Sequence, residues 1–296
     1  MARICYQEKD FRPATMELIY TAIDIVEEYA EQGFTLSLRQ LYYQLVARGI
    51  LPNKQTEYKR LGRIINDARI AGLIDWLAIV DRSRALRASS HWNSPSEILN
   101  GAAQQYQIDK WSTQPMRMEV WIEKVALVGV IGGICKELDV PFFSCRGYPS
   151  VSSVWQASER MREYLETDQP TSLLHLADHD PSGIDMTRDL RERLELFLGS
   201  DDVFRVTRLA LTIAQVQALN PPPNPAKLSD SRAPGYVRRY GRNSWELDAL
   251  EPAYLVELIE SAVVAVRDDA LWKEQVAIEN AGRQELAELA ASLLDE

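Results

Sequence analysis

Between residues 118 and 209 the sequence alternates short apolar segments with amphipathic ones, and this alternation restricts the fold more than any other feature. The predicted strands cover 118–122, 141–145, 172–177 and 203–209, and the predicted helices cover 126–138, 152–165 and 182–198. Strands that alternate with helices form parallel sheets. We therefore predict a mixed α/β fold built on a parallel sheet.

The part of the chain that precedes the first predicted strand has a mainly helical pattern. Apolar spacing predicts one helix over 14–31 and another over 57–71. Between them, Ser37 and Gln40 have the form of a capping box and predict a helix start. The segment 73–80 is short, apolar and predicted to be extended. Three helices followed by a β wing are typical of a winged-helix DNA-binding domain.

Charge is distributed unevenly along the chain, although its net charge is -10. Residues 35–87 carry ten Lys or Arg against four Asp or Glu, whereas residues 241–296 carry four against thirteen. On the third helix, Lys59, Arg60 and Arg63 lie largely off the apolar stripe. A basic module on an acidic body is compatible with double-stranded DNA as partner, and these three residues are candidate phosphate contacts. The alternative is that both are solvated faces.

The change of pattern along the chain predicts its domain organisation. Residues 1–87 form the winged-helix domain, and the polar stretch 88–115, with one helix begun at Ser94, is interpreted as a linker. Residues 116–296 form the α/β domain, which ends in acidic helices. The Pro-rich segment 220–235 is predicted to be a long loop.

Three carboxylates follow predicted strands. Glu123 comes directly after 118–122, and Asp178 and Asp180 come after 172–177. If these strands are neighbours, the acids converge and repel one another unless a cation lies between them. Mg²⁺ suits a few carboxylates together with water and phosphate, and it supports phosphoryl transfer. We predict a magnesium site from these three acids; the alternative is that they cap loops.

His179 lies between the two aspartates in sequence. Alternation of side chains points it away from the predicted site, so we interpret it as structural rather than as a ligand.

A second group of residues lies on the helix that begins at Ser37. Tyr42 falls in its apolar stripe, whereas Arg39 and Tyr43 share a face beside it. A phenol that attacks a phosphodiester needs a nearby cation to favour the phenolate and to hold the phosphate. Tyr43 is therefore a candidate nucleophile; the alternative is an ordinary, partly exposed aromatic residue.

Two motifs together resemble a known family. They are Arg39-Gln40-Leu41-Tyr42-Tyr43 and, after Glu123, Asp178-His179-Asp180-Pro181-Ser182-Gly183. The chain resembles the A subunit of topoisomerase VI, the meiotic double-strand-break proteins and their small stand-alone relatives in bacteria, phages and plasmids. The α/β part resembles a Toprim domain. The similarity in layout extends over about 34–250, and the Toprim motif is its more specific part.

The resemblance implies roles for individual residues. Tyr43 would be the nucleophile, Arg39 would hold the phosphate, and Glu123, Asp178 and Asp180 would bind Mg²⁺, with Glu123 alternatively acting as a proton shuttle. Arg146, in the segment 146–150, would line the DNA path. The resemblance also implies a homodimer in which the tyrosine of one subunit meets the metal site of the other. ATP-driven strand passage would need a separate ATPase subunit.

Two other functions remain open at this stage. One is a Toprim nuclease that cuts DNA hydrolytically with a metal-activated water, for example in defence against phage or plasmid DNA. The other is a DNA-binding protein without catalysis. The globular composition, with 46% hydrophobic and 26% charged residues, excludes a disordered chain. No apolar run is long enough for a bilayer, and the three cysteines have no paired spacing, so we expect a cytoplasmic protein with no membrane partner.

Overall fold

The predicted alternation of strands and helices produces a four-stranded parallel sheet. The computed structural model describes residues 3–79 and 91–293. The strands of the sheet are β1 (Arg117–Ile122), β2 (Phe142–Ser144), β3 (Thr171–Leu176) and β4 (Phe204–Ala210). Their order is β2-β1-β3-β4, and every pair is parallel. The prediction of a mixed α/β fold is confirmed.

Helices surround this sheet and also form the N-terminal part of the described chain. They are α1 (Pro13–Glu31), α2 (Leu38–Ala47), α3 (Gln55–Ile70), α4 (Pro95–Gln105), α5 (Val128–Glu137), α6 (Val151–Leu165), α7 (Pro181–Leu198), α8 (Ile213–Leu219), α9 (Ala233–Tyr240), α10 (Pro252–Val264) and α11 (Asp269–Ser292). In the described part of the chain, none of them is long and apolar enough to cross a membrane.

Alternating side chains of the strands build a core on each face of the sheet. Val120 and Ile122 of β1 pack into one core with α5 and α10. Trp121, which lies between them, packs into the other core with α6 and α7. This is the period-two pattern of a strand that is buried on both faces. The result is a sheet between two helical layers.

The first three helices form their own core. The capping box at the start of α2 is present: Ser37 Oγ accepts from the Gln40 N–H at 3.3 Å, and Gln40 Oε1 accepts from the Ser37 N–H at 2.9 Å. The strand predicted over 73–80 is wrong for its described part. Residues 73–79 form turns and a single parallel bridge from Ile79 to Leu36, because the Asp75 carboxylate accepts the Leu77 N–H and closes a turn. Val80 lies outside the described residues.

The described part of the predicted linker, 91–115, is packed against the α/β body. Helix α4, predicted from its Ser94 cap, lies along α11. Ser96 at its first turn donates to the Ala290 carbonyl at 2.8 Å. Trp111 is buried and donates from Nε1 to the Leu138 carbonyl at 2.9 Å. This segment is therefore fixed at one point against α11 and at another against the end of α5.

The Pro-rich segment predicted as a loop contains short regular elements. Strand β5 (Asn224–Pro225) pairs in antiparallel fashion with β6 (Asn243–Ser244), and α9 lies between them. The described residues also include two 3-10 turns. One, Val125–Leu127, precedes α5, and the other, Leu247–Ala249, precedes α10. Ala249 packs into the core of the first three helices, so this second turn joins that module to the sheet edge.

Candidate active site

Strands β1 and β3 are neighbours, and this places the residues that follow them at one edge. Ile122 and Leu176 are in register. The Glu123 N–H donates to the Leu176 carbonyl at 2.8 Å, and the Asp178 N–H donates to Glu123 Oε2 at 2.9 Å. The two strand-end acids therefore touch, as the sequence predicts for adjacent parallel strands.

A lysine lies among the acids of this edge. Lys124 Nζ is 2.8 Å from Asp178 Oδ2 and 3.3 Å from Asp248 Oδ2, and it also contacts Glu246. Burial lowers the pKa of Lys124, but the three carboxylates raise it more, so its pKa lies above the usual range. Lys124 is therefore a buried ammonium ion shared by three carboxylates.

Asp180 has a structural task at the start of α7. Its Oδ1 accepts the Gly183 N–H at 2.6 Å, so it is the N-cap of this helix. A Cβ at Gly183 would lie 2.1 Å from the Asp178 carbonyl oxygen. The spacing from Asp178 to Gly183 is thus required by the tight turn from β3 into α7.

Arg208 of β4 donates hydrogen bonds to the backbone of the turn between β3 and α7. Its guanidinium donates to the carbonyl oxygens of Ala177 at 3.0 Å, Gly183 at 2.7 Å and Asp178 at 2.5 Å. Burial lowers the pKa of Arg208 to about 10. These hydrogen bonds connect one side chain to both ends of the turn, at 177–178 and at 183, and so hold the backbone that carries Asp178 and Asp180 in place.

Arg39 joins α2 to the sheet edge. Its Nε lies 2.8 Å from Asp248 Oδ2, and its Nη2 donates to Glu246 Oε2 at 2.9 Å. Its guanidinium carbon lies 5.8 Å from the centre of the Tyr43 ring. Within the described residues, Nη1 of Arg39 has no hydrogen-bond partner. The predicted neighbours Arg39 and Tyr43 are therefore brought to the acids of the same chain.

Tyr43 is buried, with 6% of the residue exposed. The alternative of an ordinary, partly exposed aromatic residue is wrong, because α2 packs against the 3-10 turn Leu247–Ala249. Burial and the nearby Glu246 raise the pKa of Tyr43 to about 12, although Arg39 and Lys124 act in the opposite direction. Its hydroxyl is thus neutral at pH 7.

A small cleft of about 80 Å³ opens beside this tyrosine. Its lining residues are Arg39, Tyr42, Tyr43, Asn53, Lys54, Gln55 and Tyr58. Two of these residues, Arg39 and Lys54, are cationic, and Lys54 forms no ion pair in the part of the chain that the structure describes. The cleft can therefore receive an anionic group next to Tyr43.

Tyr42 belongs to the core, as predicted. Only 3% of it is exposed, and its hydroxyl lies 3.1 Å from the Pro52 carbonyl and 3.0 Å from the Lys54 carbonyl while accepting the Lys54 N–H at 2.8 Å. It therefore fixes the loop that enters α3.

The predicted metal ligands do not fit Mg²⁺ in this conformation. Residues 3–79 and 91–293 contain no group of three or more His, Cys, Asp or Glu side chains arranged to hold a metal ion. Glu123, Asp178 and Asp180 each use one carboxylate oxygen to accept a backbone N–H, and Lys124 contacts the other oxygen of Asp178. The donor types suit magnesium, but one oxygen of each acid already accepts a backbone N–H, and Asp178 is also paired with Lys124.

The three predicted metal ligands all have raised pKa values. The pKa values of Glu123, Asp178 and Asp180 are all raised, first by burial and then by neighbouring carboxylates such as Glu246. Burial and these carboxylates outweigh the opposite effect of Lys124, so the three acids hold a proton more readily than they would in water.

His179 is structural, in agreement with the sequence interpretation. It is buried, its Nδ1 lies 2.8 Å from the Tyr236 hydroxyl, and its backbone pairs with Trp245. Burial lowers its pKa to about 4. The imidazole is thus neutral and anchors the segment that brings Glu246 to the edge.

The predicted DNA contacts are all exposed. Lys59, Arg60 and Arg63 lie on the solvent side of α3, where Arg60 pairs with Glu57 at 2.8 Å. Arg146 is exposed between β2 and α6, with a φ of 55°. Their exposure agrees with a role in binding an external partner.

Sequence reasoning missed four residues of the site: Lys54, Lys124, Glu246 and Asp248. A signal existed for Lys124, because it directly follows the strand-end Glu123. Glu246 and Asp248 are separated from Asp178 by more than 60 residues and were hidden in an acidic C-terminal region.

No protein-family model, no curated protein and no solved structure matches this chain.

Proposed function

We propose that this chain breaks DNA strands with the Tyr43 hydroxyl as nucleophile, in the manner of the topoisomerase VI A subunits that its motifs resemble. One observation carries the proposal. The Arg39 guanidinium lies beside the Tyr43 ring and also contacts Glu246 and Asp248 at the carboxyl edge of the sheet. Glu246 and Asp248 also contact Lys124, which contacts the strand-end acid Asp178, so a chain of ion pairs connects the tyrosine helix to the sheet edge.

The proposed step is a transesterification. The Tyr43 oxygen forms a bond to a backbone phosphorus, and the bond from phosphorus to the 3′ oxygen breaks. The products are a 5′-phosphotyrosine and a free 3′ hydroxyl. The phenol proton leaves to solvent, and the 3′ oxygen gains a proton.

The chain supplies cations and acids for this step. Nη1 of Arg39 and the ammonium group of Lys54 border the cleft beside Tyr43 and are available to a phosphate. Such cations stabilise the charge that builds on phosphate oxygens. Glu123, whose pKa is raised by burial, is our candidate for protonating the 3′ oxygen.

The proposed step uses only side chains of this chain, and Lys124 already pairs with Asp178, one of the three predicted metal ligands. Magnesium dependence is a prediction from the sequence, and cleavage with Mg²⁺ or with a chelator tests it.

The deciding experiment uses supercoiled plasmid and the Tyr43→Phe protein. This change removes only the attacking oxygen, so nicking, linearisation and the protein–DNA adduct on a denaturing gel should all disappear. Tyr58→Phe is the matched control, since Tyr58 lines the same cleft, and it should cut like the parent.

The other outcomes assign the other functions. If Tyr43→Phe cuts like the parent without an adduct, the chain is a nuclease that uses water, and the proposal is overturned. If the parent binds DNA but never cuts it, the chain is a non-catalytic DNA-binding protein.

A mixing experiment tests whether one chain completes the site. Because Arg39 contacts acids of its own chain, we expect a mixture of Tyr43→Phe and Glu123→Gln proteins, each inactive alone, to remain inactive. Restored cutting would show that the tyrosine of one subunit works with the acids of its partner, as the homodimer implied by the resemblance requires.

A further inference from the structure

A second group of cations lies outside the site, on the segment that contains α9. Residues 231–242 hold four arginines and no Asp or Glu, in a chain whose net charge is -10. Arg238, Arg239 and Arg242 are all exposed, as is Lys227 near β5, which lies outside this range. These four residues form what we call the α9 basic surface.

Members of this surface lack acidic partners. In the described part of the chain, none of the four forms an ion pair. Nearby arginines behave differently: Arg232 pairs with Asp185 and Asp230, and Arg188 pairs with Asp185 and Glu192. Acids are thus available in the neighbourhood but are used by other arginines, which leaves the α9 basic surface free for an external anion.

Backbone pairing links this surface to the Tyr43 cleft. The Ala226 N–H donates to the Arg242 carbonyl at 2.8 Å, next to the paired strands β5 and β6. In the same hairpin, the Asn224 side chain accepts a hydrogen bond from the Asn53 amide. Asn53 directly precedes Lys54, which lines the cleft. Two contacts, Asn53 with Asn224 and Ala226 with Arg242, therefore connect the loop of Lys54 to the segment of Arg242.

A structural role explains only part of the arginine pattern. Arg238 and Arg239 lie in the last turn of α9, where cations interact favourably with the helix dipole. Lys227 and Arg242 lie outside the helix and gain nothing from it. The arginines of this surface can also bind phosphate in a bidentate manner.

We infer that the α9 basic surface binds the phosphate backbone of duplex DNA and extends the DNA path from the Tyr43 cleft across the hairpin of β5 and β6. The choice of DNA as ligand rests on the proposed function. The position of the surface rests on the exposed, unpaired cations and their link to Lys54.

The test measures how the affinity for a 30-base-pair duplex changes with salt, by fluorescence anisotropy. Protein with Tyr43→Phe serves as the background, so that no DNA is cut. In this background, changing Arg238, Arg239 and Arg242 to Ala should reduce the slope of log affinity against log salt by about three units, roughly 0.9 for each phosphate contact.

The control removes the same charge from exposed positions elsewhere. Lys136 on α5, Arg205 on β4 and Lys273 on α11 are exposed and unpaired within the described residues. Changing these three to Ala should alter the slope by less than one unit. Circular dichroism melting checks that both triple variants fold.

Four results would overturn the inference. They are an unchanged slope for the α9 variant, an equal loss in the control, no binding of the parent to duplex DNA, and stronger competition by polyglutamate than by DNA of equal charge, which would indicate an acidic protein partner. An unchanged slope together with normal Tyr43-dependent cutting would remove only this surface. A reduced slope without Tyr43-dependent cutting would remove the proposed chemistry and leave the surface.

Discussion

Cations at the sheet edge and cations on the helical surfaces have opposite environments. Lys124 and Arg39 at the edge are shared among Asp178, Glu246 and Asp248, and the Asp248 side chain is fully buried. The arginines of α9, and Lys59 and Arg63 of α3, are exposed and unpaired within the described chain. Buried charges require partners because they have lost water, whereas exposed ones are solvated and free to bind an anion. Unpaired exposed cations are therefore available to a ligand and the largely buried Lys124 holds the fold, whereas Arg39, with 44% of its side chain exposed, pairs with acids and still borders the cleft.

Removing the central cation of the edge should have the largest effect. Lys124→Met leaves three carboxylates without their ammonium partner, so we expect a loss of about 3–5 kcal/mol in the free energy of unfolding. Urea denaturation measures it. Lys136→Met, an exposed cation on α5, is the control and should change stability by less than about 0.5 kcal/mol. Equal effects of the two changes would show that burial does not distinguish these charges.

The second largest effect on stability should come from one of the two adjacent tyrosines, Tyr42, and not from the other, Tyr43. Tyr42→Phe leaves the Lys54 N–H without its acceptor, so we expect a cost of about 1–3 kcal/mol. The Tyr43 hydroxyl makes no hydrogen bond within the described residues, so Tyr43→Phe should cost less than about 0.5 kcal/mol. Thermal melting of the two proteins compares them. A larger loss for Tyr43→Phe would mean that its hydroxyl stabilises the edge instead of being free to react.

Two substitutions at Asp180 distinguish the effect of its charge on stability from the effect of its hydrogen bond. Asp180→Ala removes the cap of α7 and should cost about 0.5–2 kcal/mol. Asp180→Asn keeps an oxygen for the Gly183 N–H and removes a charge that is disfavoured by burial. It should melt at a higher temperature than the Ala variant. If the two variants melt together, the cap contributes nothing.

The smallest effects on stability belong to the exposed face of α3. Lys59→Ala and Arg63→Ala should each change the free energy of unfolding by less than about 0.5 kcal/mol. Together they should reduce the salt slope of DNA binding by about two units. Arg60→Ala should matter less for binding, because Arg60 already pairs with Glu57. A salt slope more sensitive to Arg60 than to Arg63 would contradict the rule that unpaired cations meet the ligand.

Local patterns in the sequence were sufficient for much of the architecture. Alternation in 118–122 and 172–177 predicted the strands, and adjacency of these strands brought Glu123 to Asp178. The capping box at Ser37 predicted the start of α2. These features depend on neighbours within a few residues, so the periodicity of side chains determines them.

Contacts between distant segments decided the character of the site. Sequence placed Tyr43 on the open side of α2, but packing against the turn Leu247–Ala249 buries it. Magnesium stays a prediction from the sequence, whereas folding adds Lys124 beside Asp178, together with Glu246 and Asp248. The physical reason is that helical phase and strand register set only the direction of a side chain from its own backbone. The charge and water content of the space it enters depend on which remote segments pack there, and only the tertiary structure specifies them.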